Sequence, residues 1–349
     1  MRQDPLRNAN FPMKLLPFAL LSISAAAPAL ACDLCGCYTP RLEVVREKSY
    51  AFFAGAGEQF THFGTVRVDG SKVENPTGQY LDSSNTQLVV GARFFENRFG
   101  VQLNVPLIYR SYKRPEGFDI ERGQVSGLGD MALLANWVVF KKETYRQESA
   151  LSKDGKTSAL AQGAVPEFSA SVNLLAGIKF PTGDASRLAE EFSESEVEGA
   201  PESGIHGHDL ALGTGSYDGI FGVQIFTRHR AFFFEADAQF TLRGDGRYSY
   251  RFAHDLAWRG GPGVDILRRG ADVLALQGVV SGETKGKDRF QGEPAGDTGL
   301  TSLYLGPRVL ATWGRLNAEV AVELPVLLHN TALQTTPDYR IRAGFTIRF

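Results

Sequence analysis

Cys32-Asp33-Leu34-Cys35-Gly36-Cys37 gathers all 3 cysteines of the chain into one short stretch. Three thiolates this close can wrap a soft cation, copper(I) or zinc, with Cys32, Cys35 and Cys37 as ligands. In an oxidising compartment the same stretch forms one disulfide, Cys32–Cys35 or Cys32–Cys37, and keeps a free thiol. A lipid on Cys32 is the third chemistry, because an apolar leader ends just before it. Covalent haem does not fit: attachment needs a His after the second cysteine, and Gly36 stands there. A second candidate is His206-Gly207-His208, which closes an acidic stretch from Glu190 to Glu202. In an extended chain both imidazoles point one way beside carboxylates, a weak exterior metal site; the plainer expectation is two solvated loop histidines.

Other chemistries lack their residues. No Ser-His-Asp order and no carboxylate pair argue for hydrolysis, so no enzyme is expected. Glycine-rich GTGSYD lacks the Lys-Ser/Thr ending of a phosphate loop, and GLGD lacks the strand-loop-helix setting. Those glycines are expected to supply tight bends at strand ends, with Asp130 and Asp218 taking lumen or turn hydrogen bonds. A net charge of -2 gives nucleic acid no electrostatic support.

The elements that would position these groups begin with a leader. Lys14 precedes the apolar run Leu15–Leu30, and Ala29-Leu30-Ala31 fits a small-x-small cleavage site. Residues 1–31 therefore read as a signal peptide, with 1–12 an upstream extension and Met13 a plausible start. Ala29 stands where a lipobox prefers Leu, which favours ordinary cleavage over acylation of Cys32. Residues 32–48 would then be a periplasmic Cys-containing segment and 49–349 the folded body.

That body reads as strands. Its 38 glycines and 24 phenylalanines against 3 methionines favour strands and turns over helices. Hydrophobic residues are 43% and charged residues 22%, which does not exclude the membrane, because a barrel strand needs only alternate residues apolar. In Asp338–Phe349 the residues Tyr339, Ile341, Ala343, Phe345, Ile347 and Phe349 alternate with Arg340, Arg342, Gly344, Thr346 and Arg348. Eleven more stretches show the pattern with varying clarity: Ser49–His62, Gln87–Phe94, Phe99–Arg110, Gly127–Phe140, Phe168–Phe180, Asp209–Thr227, Phe232–Arg243, Arg247–Leu256, Ala271–Ser281, Leu303–Trp313 and Leu316–Val326. Short connections at Glu96–Arg98, Arg228–Arg230, Arg268–Gly270 and Trp313–Arg315 suit periplasmic turns. Long polar ones at Gly64–Ser84, Lys113–Gln124, Thr182–His208, Gly286–Thr298 and His329–Thr336 suit the outside. Two connections break the rule: Arg243–Gly246 is too short, and Lys141–Val165 is too long.

A β-sandwich also alternates, but its polar face meets water rather than a lumen. Here full charges stand in mid-strand: Arg93, Lys179, Glu235, Asp237, Glu319, Glu323, Arg340 and Arg342. A wet interior tolerates them, so these residues are expected to line a pore. Phe99, Tyr109, Phe168, Phe180 and Trp313 end the apolar faces, as interfacial girdles require. The expected fold is all-β: an antiparallel up-and-down transmembrane barrel of about twelve strands in the bacterial outer membrane, the last strand pairing with the first. Ten or fourteen strands are the alternatives.

The pieces SGLGDMALLANWVVF, KFPTGDA and LGTGSYDGIFGVQIF together resemble the outer-membrane barrel family named for the meta-cleavage pathway of phenol degradation, distant kin of the long-chain fatty-acid transporter barrels. The final strand ending in Phe349 is similar to the C-terminal signature read by the barrel assembly machinery. The resemblance implies passive uptake of small, often aromatic or hydrophobic molecules, with no catalytic residues and no cofactor. Outer-membrane lipid, the assembly machinery and a small-molecule solute are the expected partners. The alternative is a barrel that serves as an anchor or scaffold, with the CDLCGC segment binding a soft metal or a periplasmic partner.

Overall fold

In the computed structural model, residues 51–144, 167–193, 197–270 and 272–349 are described. The leader and the CDLCGC segment lie outside them. The barrel strands are β1 (Phe52–Val68), β2 (Tyr80–Phe94), β3 (Phe99–Glu116), β4 (Ala132–Thr144), β5 (Phe168–Lys179) and β6 (Asp218–His229). They continue as β7 (Phe232–Leu242), β8 (Asp255–Arg269), β9 (Asp272–Lys285), β10 (Leu300–Trp313), β11 (Leu316–Asn330) and β12 (Leu333–Arg348). Each pairs antiparallel with its sequence neighbours, and β12 returns to β1, from Arg348 opposite Phe53 to Leu333 opposite Val68. Closure leaves no strand edge, the condition for sheet backbone to cross hydrocarbon. The expected twelve-strand barrel with its first and last strands paired is what forms.

Alternation sorts the two faces. On β12, Arg340 and Arg342 are 1% and 8% exposed, whereas Phe345 and Ile341 are 48% and 39% exposed. Leu133, Leu174, Phe221, Phe234, Val309 and Val320 likewise stand outside, an apolar belt that water would not tolerate and lipid requires. Glu58, and the pair His62 and Asp82 bonded at 2.6 Å, are outward positions that depart from this rule. Glu58, six residues into β1, accepts hydrogen bonds from the Ser84 hydroxyl at 2.5 Å and from the Thr86 hydroxyl, which satisfy its carboxylate beside the lipid.

A membrane-spanning strand needs about 9–11 residues, and β3 with its 18 overshoots. Its outer half, Leu107–Glu116, folds back as a hairpin on Asp119–Leu128, turning at Gly117 with φ 58°. The chain then breaks at residues 129–131 before β4 begins. Predicted Gly127–Phe140 is therefore two strands with a bend between them.

Two strand expectations are corrected. Arg247–Leu256 is not a barrel strand: Tyr250–Arg251 pairs with Arg289–Phe290 in a small sheet completed by Glu293–Pro294. Its alternation arises because Tyr250 and Phe252 bury in a loop cluster with Ala185, Leu188 and Ala211. The true strand β8 hides behind Arg259-Gly260-Gly261-Pro262-Gly263, which carries no apolar period. This shift lengthens the preceding connection to residues 243–254 and removes the anomaly at Arg243–Gly246. Asp209–Thr227 also begins late, at Asp218, because Gly207–Leu210 forms one helical turn. The expected long loop His329–Thr336 contracts to a tight turn at Thr331-Ala332, with Ala332 at φ 51°. Most of the anomalous Lys141–Val165 connection lies outside the described residues.

Candidate functional site: the barrel lumen and its mouth

Strands β7 to β12 furnish one charged wall. Arg308 lies between Glu235 on β7 and Glu319 on β11, and donates to the Gln277 amide oxygen at 2.9 Å. Arg342 donates to Glu323 at 2.9 Å and across the seam to Gln59 at 2.8 Å. Arg340 reaches Glu283 at 3.0 Å and stacks 3.9 Å above the Tyr304 ring. Glu283 also accepts from Ser302 at 2.9 Å and from Tyr304 at 3.1 Å, while Ser281 donates to Glu323 at 2.6 Å. Arg259 meets Asp237 at 3.1 Å. Each cation lies within contact distance of an anion, so desolvation is offset locally and the wall presents dipoles rather than one sign of field.

The facing wall is different. Thr61, Asn85, Gln87, Gln102, Asn104 and Ser171 turn inward from β1, β2, β3 and β5, neutral amides and hydroxyls almost fully buried. Beside them Ala132, Leu134, Leu175 and Ile220 form an inward apolar cluster on β4, β5 and β6. Toward the short-turn end, Phe233, Val273 and Ala275 pack with Phe226 and Leu310. Arg228 lies 5.4 Å over Phe226 and 5.5 Å over Phe233, and Arg93 lies 5.7 Å over Phe53.

The three glycine motifs converge at the long-loop end into one clasp. Asp130 of GLGD accepts from the Gly183 N–H at 2.9 Å, the Thr214 N–H at 2.8 Å and the Lys179 ammonium at 2.8 Å. Lys179 is bridged to Asp218 at 2.7 Å, and Asp218 in turn accepts from Arg243 at 3.0 Å and from the Gly244 N–H at 3.0 Å. Thr182 completes the clasp, donating to the Gly129 carbonyl at 2.9 Å and accepting from the Met131 N–H at 2.8 Å. Glycine is required at 213: a Cβ there would lie 2.6 Å from an Asp130 carboxylate oxygen and 2.7 Å from the Gly183 carbonyl carbon. The motifs thus make strand-end bends and Asp130 and Asp218 take lumen and turn hydrogen bonds, as expected.

Beyond the clasp, residues 184–193 and 197–211 fold over the mouth. Ile205 and Leu210 bury against the inward side chains Phe63, Leu81 and Tyr112 of β1, β2 and β3. Leu188 packs with Tyr250 and Phe252 from the 243–254 connection. Arg110 donates from Nη1 to the carbonyls of Asp209 and Ala211, each at 2.6 Å. Arg114 donates to Glu121 at 2.7 Å and to Glu190 at 2.9 Å.

The histidines sit in this fold rather than in solvent. His208 is 5% exposed, its Nδ1 2.9 Å from Glu191 and its Nε2 3.5 Å from Asp209. Its ring stacks 5.6 Å from both His206 and Tyr250. Burial alone would lower its pKa, but the carboxylates of Asp209 and Glu191 outweigh that and raise it well above 6.5. Burial and the adjacent Asp288 carboxylate push the Tyr250 phenol well above 10. The stacked imidazoles are engaged by separate carboxylates, His206 by Asp297 at 3.2 Å, and among the described residues no group of three or more His, Cys, Asp or Glu is arranged to hold a metal. The exterior metal site read from His206 and His208 is therefore not formed. Cys32, Cys35 and Cys37 lie outside the described residues.

Of the residues expected to line a pore, Glu235, Asp237, Glu319, Glu323, Arg340 and Arg342 lie on the charged wall, Lys179 in the clasp and Arg93 near the short-turn end. The expectation omitted their partners. Arg259 belongs to the glycine-masked β8, and Glu283 lies past the predicted end of its strand at Ser281. Arg308 follows Gly306-Pro307, which interrupts the period of β10, whereas Arg110 was already on the polar face of β3.

Among solved structures the chain is similar to the COG4313 outer membrane channel from Pseudomonas putida F1, with a TM-score of 0.57 and 14% identity over 88% of this chain and 100% of that one. Weaker likenesses are the β domain of the Bordetella autotransporter BrkA, with a TM-score of 0.43 and 11% identity over 86% of this chain and 100% of that one, and a Pseudomonas aeruginosa FadL homologue, with a TM-score of 0.31 and 10% identity over 86% and 90%. No family profile and no curated protein matches. The likeness is one of fold: the chain is an outer-membrane β-barrel.

Proposed function

We propose that this barrel is a passive channel for small solutes across the outer membrane. One observation carries the reading: an inward band of paired charges crosses β7 to β12, from Asp237 and Arg259 through Arg308 to Arg340 and Arg342, while the outward face is apolar. A barrel serving only to anchor gains nothing from a wall of desolvated ion pairs, which stabilises less than well-packed apolar residues would. A solute moving through would exchange its hydration for amides on one side and paired charges on the other.

The cargo we infer carries an apolar body and a polar group. Ala132, Leu134, Leu175 and Ile220 offer the first a surface, and the facing guanidiniums and carboxylates serve the second. Small aromatic or hydrophobic molecules of the meta-pathway type, implied by the sequence resemblance, suit this arrangement when they bear a hydroxyl or carboxyl. Planar-bilayer recordings with purified protein, together with uptake of phenol and benzoate into proteoliposomes, test the reading. Absence of both conductance and uptake removes it. The anchor alternative predicts stoichiometric metal on periplasmically expressed protein that is lost in a Cys35→Ser, Cys37→Ser variant; metal-free protein with one disulfide rejects it.

A further inference from the structure

We propose that the open edge of Asp119–Leu128, the strand that returns from β3 at the mouth, is a docking site for an extended, acidic segment of another cell-surface protein, which adds to it as a further strand. The proposal stands on backbone geometry and charge and does not depend on conduction. Asp119–Leu128 is 10 residues long and pairs with the outer half of β3 without a register shift, from Glu116 opposite Asp119 to Leu107 opposite Leu128. In an antiparallel ladder closed by a two-residue turn, the residues flanking the turn exchange both main-chain hydrogen bonds, and every second pair after them does the same. Glu121, Gly123, Val125 and Gly127 therefore spend their N–H and C=O groups on β3. Those of Ile120, Arg122, Gln124, Ser126 and Leu128 point the opposite way. β4 pairs with β3 only along Phe99–Asn104, so among the described residues no strand takes up that edge.

An open edge of this length is ordinarily blunted by proline, a bulge or several charges. Asp119–Leu128 contains no proline and no bulge, and its outward side chains Ile120, Arg122, Gln124, Ser126 and Leu128 are all exposed. The pattern they make selects the partner. Arg122 stands directly opposite Lys113, like charge beside like charge, and Lys113 is held by the Thr77 carbonyl. Glu121 is turned to the inner face, where Arg114 and Tyr112 donate to it. Arg122 thus offers an outward cation with no carboxylate on it among the described residues. Ile120 and Leu128, 43% and 38% exposed, offer apolar contacts on either side of it. An added strand fits when it brings a carboxylate opposite Arg122 and apolar side chains opposite Ile120 and Leu128. A second copy of this chain does not fit, because it stands the same way up in the membrane and sets Arg122 against Arg122.

Hydrogen exchange on the full protein in lipid vesicles, with the capped peptide Val-Ser-Thr-Ser-Thr-Ser-Glu-Ser-Val as probe, tests the site. Laid antiparallel, its terminal valines oppose Leu128 and Ile120, and its glutamate opposes Arg122. With peptide bound, the Arg122, Gln124 and Ser126 amides should exchange at least about tenfold more slowly, as amides do on entering a ladder. The Gly123 and Val125 amides, already bonded to β3, should keep their rates. The same peptide with Lys in place of Glu should bind about fivefold more weakly, and Arg122→Glu should reverse that preference. Gln124→Pro removes an edge N–H that β3 does not use, so it should keep the hairpin and lose the protection. No protection at roughly millimolar peptide would overturn the proposal, as would equal binding of the two peptides or full binding by Gln124→Pro. Edge amides already slow without peptide would overturn it too: dependence on protein concentration would assign the edge to a second copy, and independence to another segment of this chain.

Discussion

Replacing Asp130 by Ala should cost far more stability than any loop substitution. Its carboxylate is buried and serves the Gly183 N–H, the Thr214 N–H, the Thr214 hydroxyl and the Lys179 ammonium, all at 2.8–2.9 Å. Removing one partner of a buried ion pair costs about 3–5 kcal/mol when the remaining charge is left alone. Lys179 is not left alone, since Asp218 lies 2.7 Å away on its other side. That lowers the electrostatic part, while two backbone N–H groups lose a charged acceptor at roughly 1–3 kcal/mol each. The balance is a loss of about 3–5 kcal/mol. Urea unfolding in lipid vesicles, followed by tryptophan emission and by the loss of heat-modifiable migration, measures it. An Arg230→Ala control removes an exposed bridge to Glu167 and should shift stability by no more than about 1 kcal/mol. A cost below about 1 kcal/mol for Asp130→Ala would mean that the clasp is an incidental contact and that the argument from converging motifs fails.

Three further outcomes are expected. Glu323→Gln leaves Arg340 and Arg342 short of one carboxylate, so reversal potentials under a salt gradient should move toward anion preference, and an unmoved potential would place the charged wall outside the conduction path. Deleting Phe349 removes a main-chain exchange with Phe52, whose nearer hydrogen bond is 2.9 Å, and a side chain standing outside the barrel, so outer-membrane yield should fall more than for His206→Ala; equal yields would contradict a seam role. For His208 the folded pKa is raised above 6.5, so its contribution is fully present below pH 6.5 and is lost as pH rises through the folded value. Exchange of the 185–193 and 197–211 amides, corrected for intrinsic rate, should therefore quicken on the alkaline side, and His208→Gln should abolish that dependence.

The fold was legible because lipid and lumen impose a period of two on opposite sides of one sheet, and side chains of Ile341, Phe345, Arg340 and Arg342 cannot be exchanged between the two faces without a large penalty. The signal failed where the wall departs from that bargain. β8 passes through Gly260, Gly261, Pro262 and Gly263, whose glycines supply close approach to neighbouring strands rather than an apolar face: a Cβ on Gly263 would lie 2.1 Å from the Phe233 ring. Glu58 breaks the outward pattern because its neighbours Ser84 and Thr86 satisfy it, and a pairwise compensation between strands leaves no mark in either strand alone. The segments over the mouth, 184–193 and 197–211, were the least legible part. Ile205 and Leu210 bury on inward side chains of β1, β2 and β3 and Leu188 in a cluster of loop residues, where no regular element sets a spacing, so their segment reads as an acidic loop with two histidines. The clasp shows the opposite case: GLGD, PTGD and GTGSYD are far apart in the chain, and each alone means only a bend, yet at three neighbouring strand ends Asp130 of the first takes the Gly183 N–H of the second and the Thr214 N–H of the third. Charges at such junctions hold the mouth of the barrel in place, and the charges within the wall are left to face whatever passes through it.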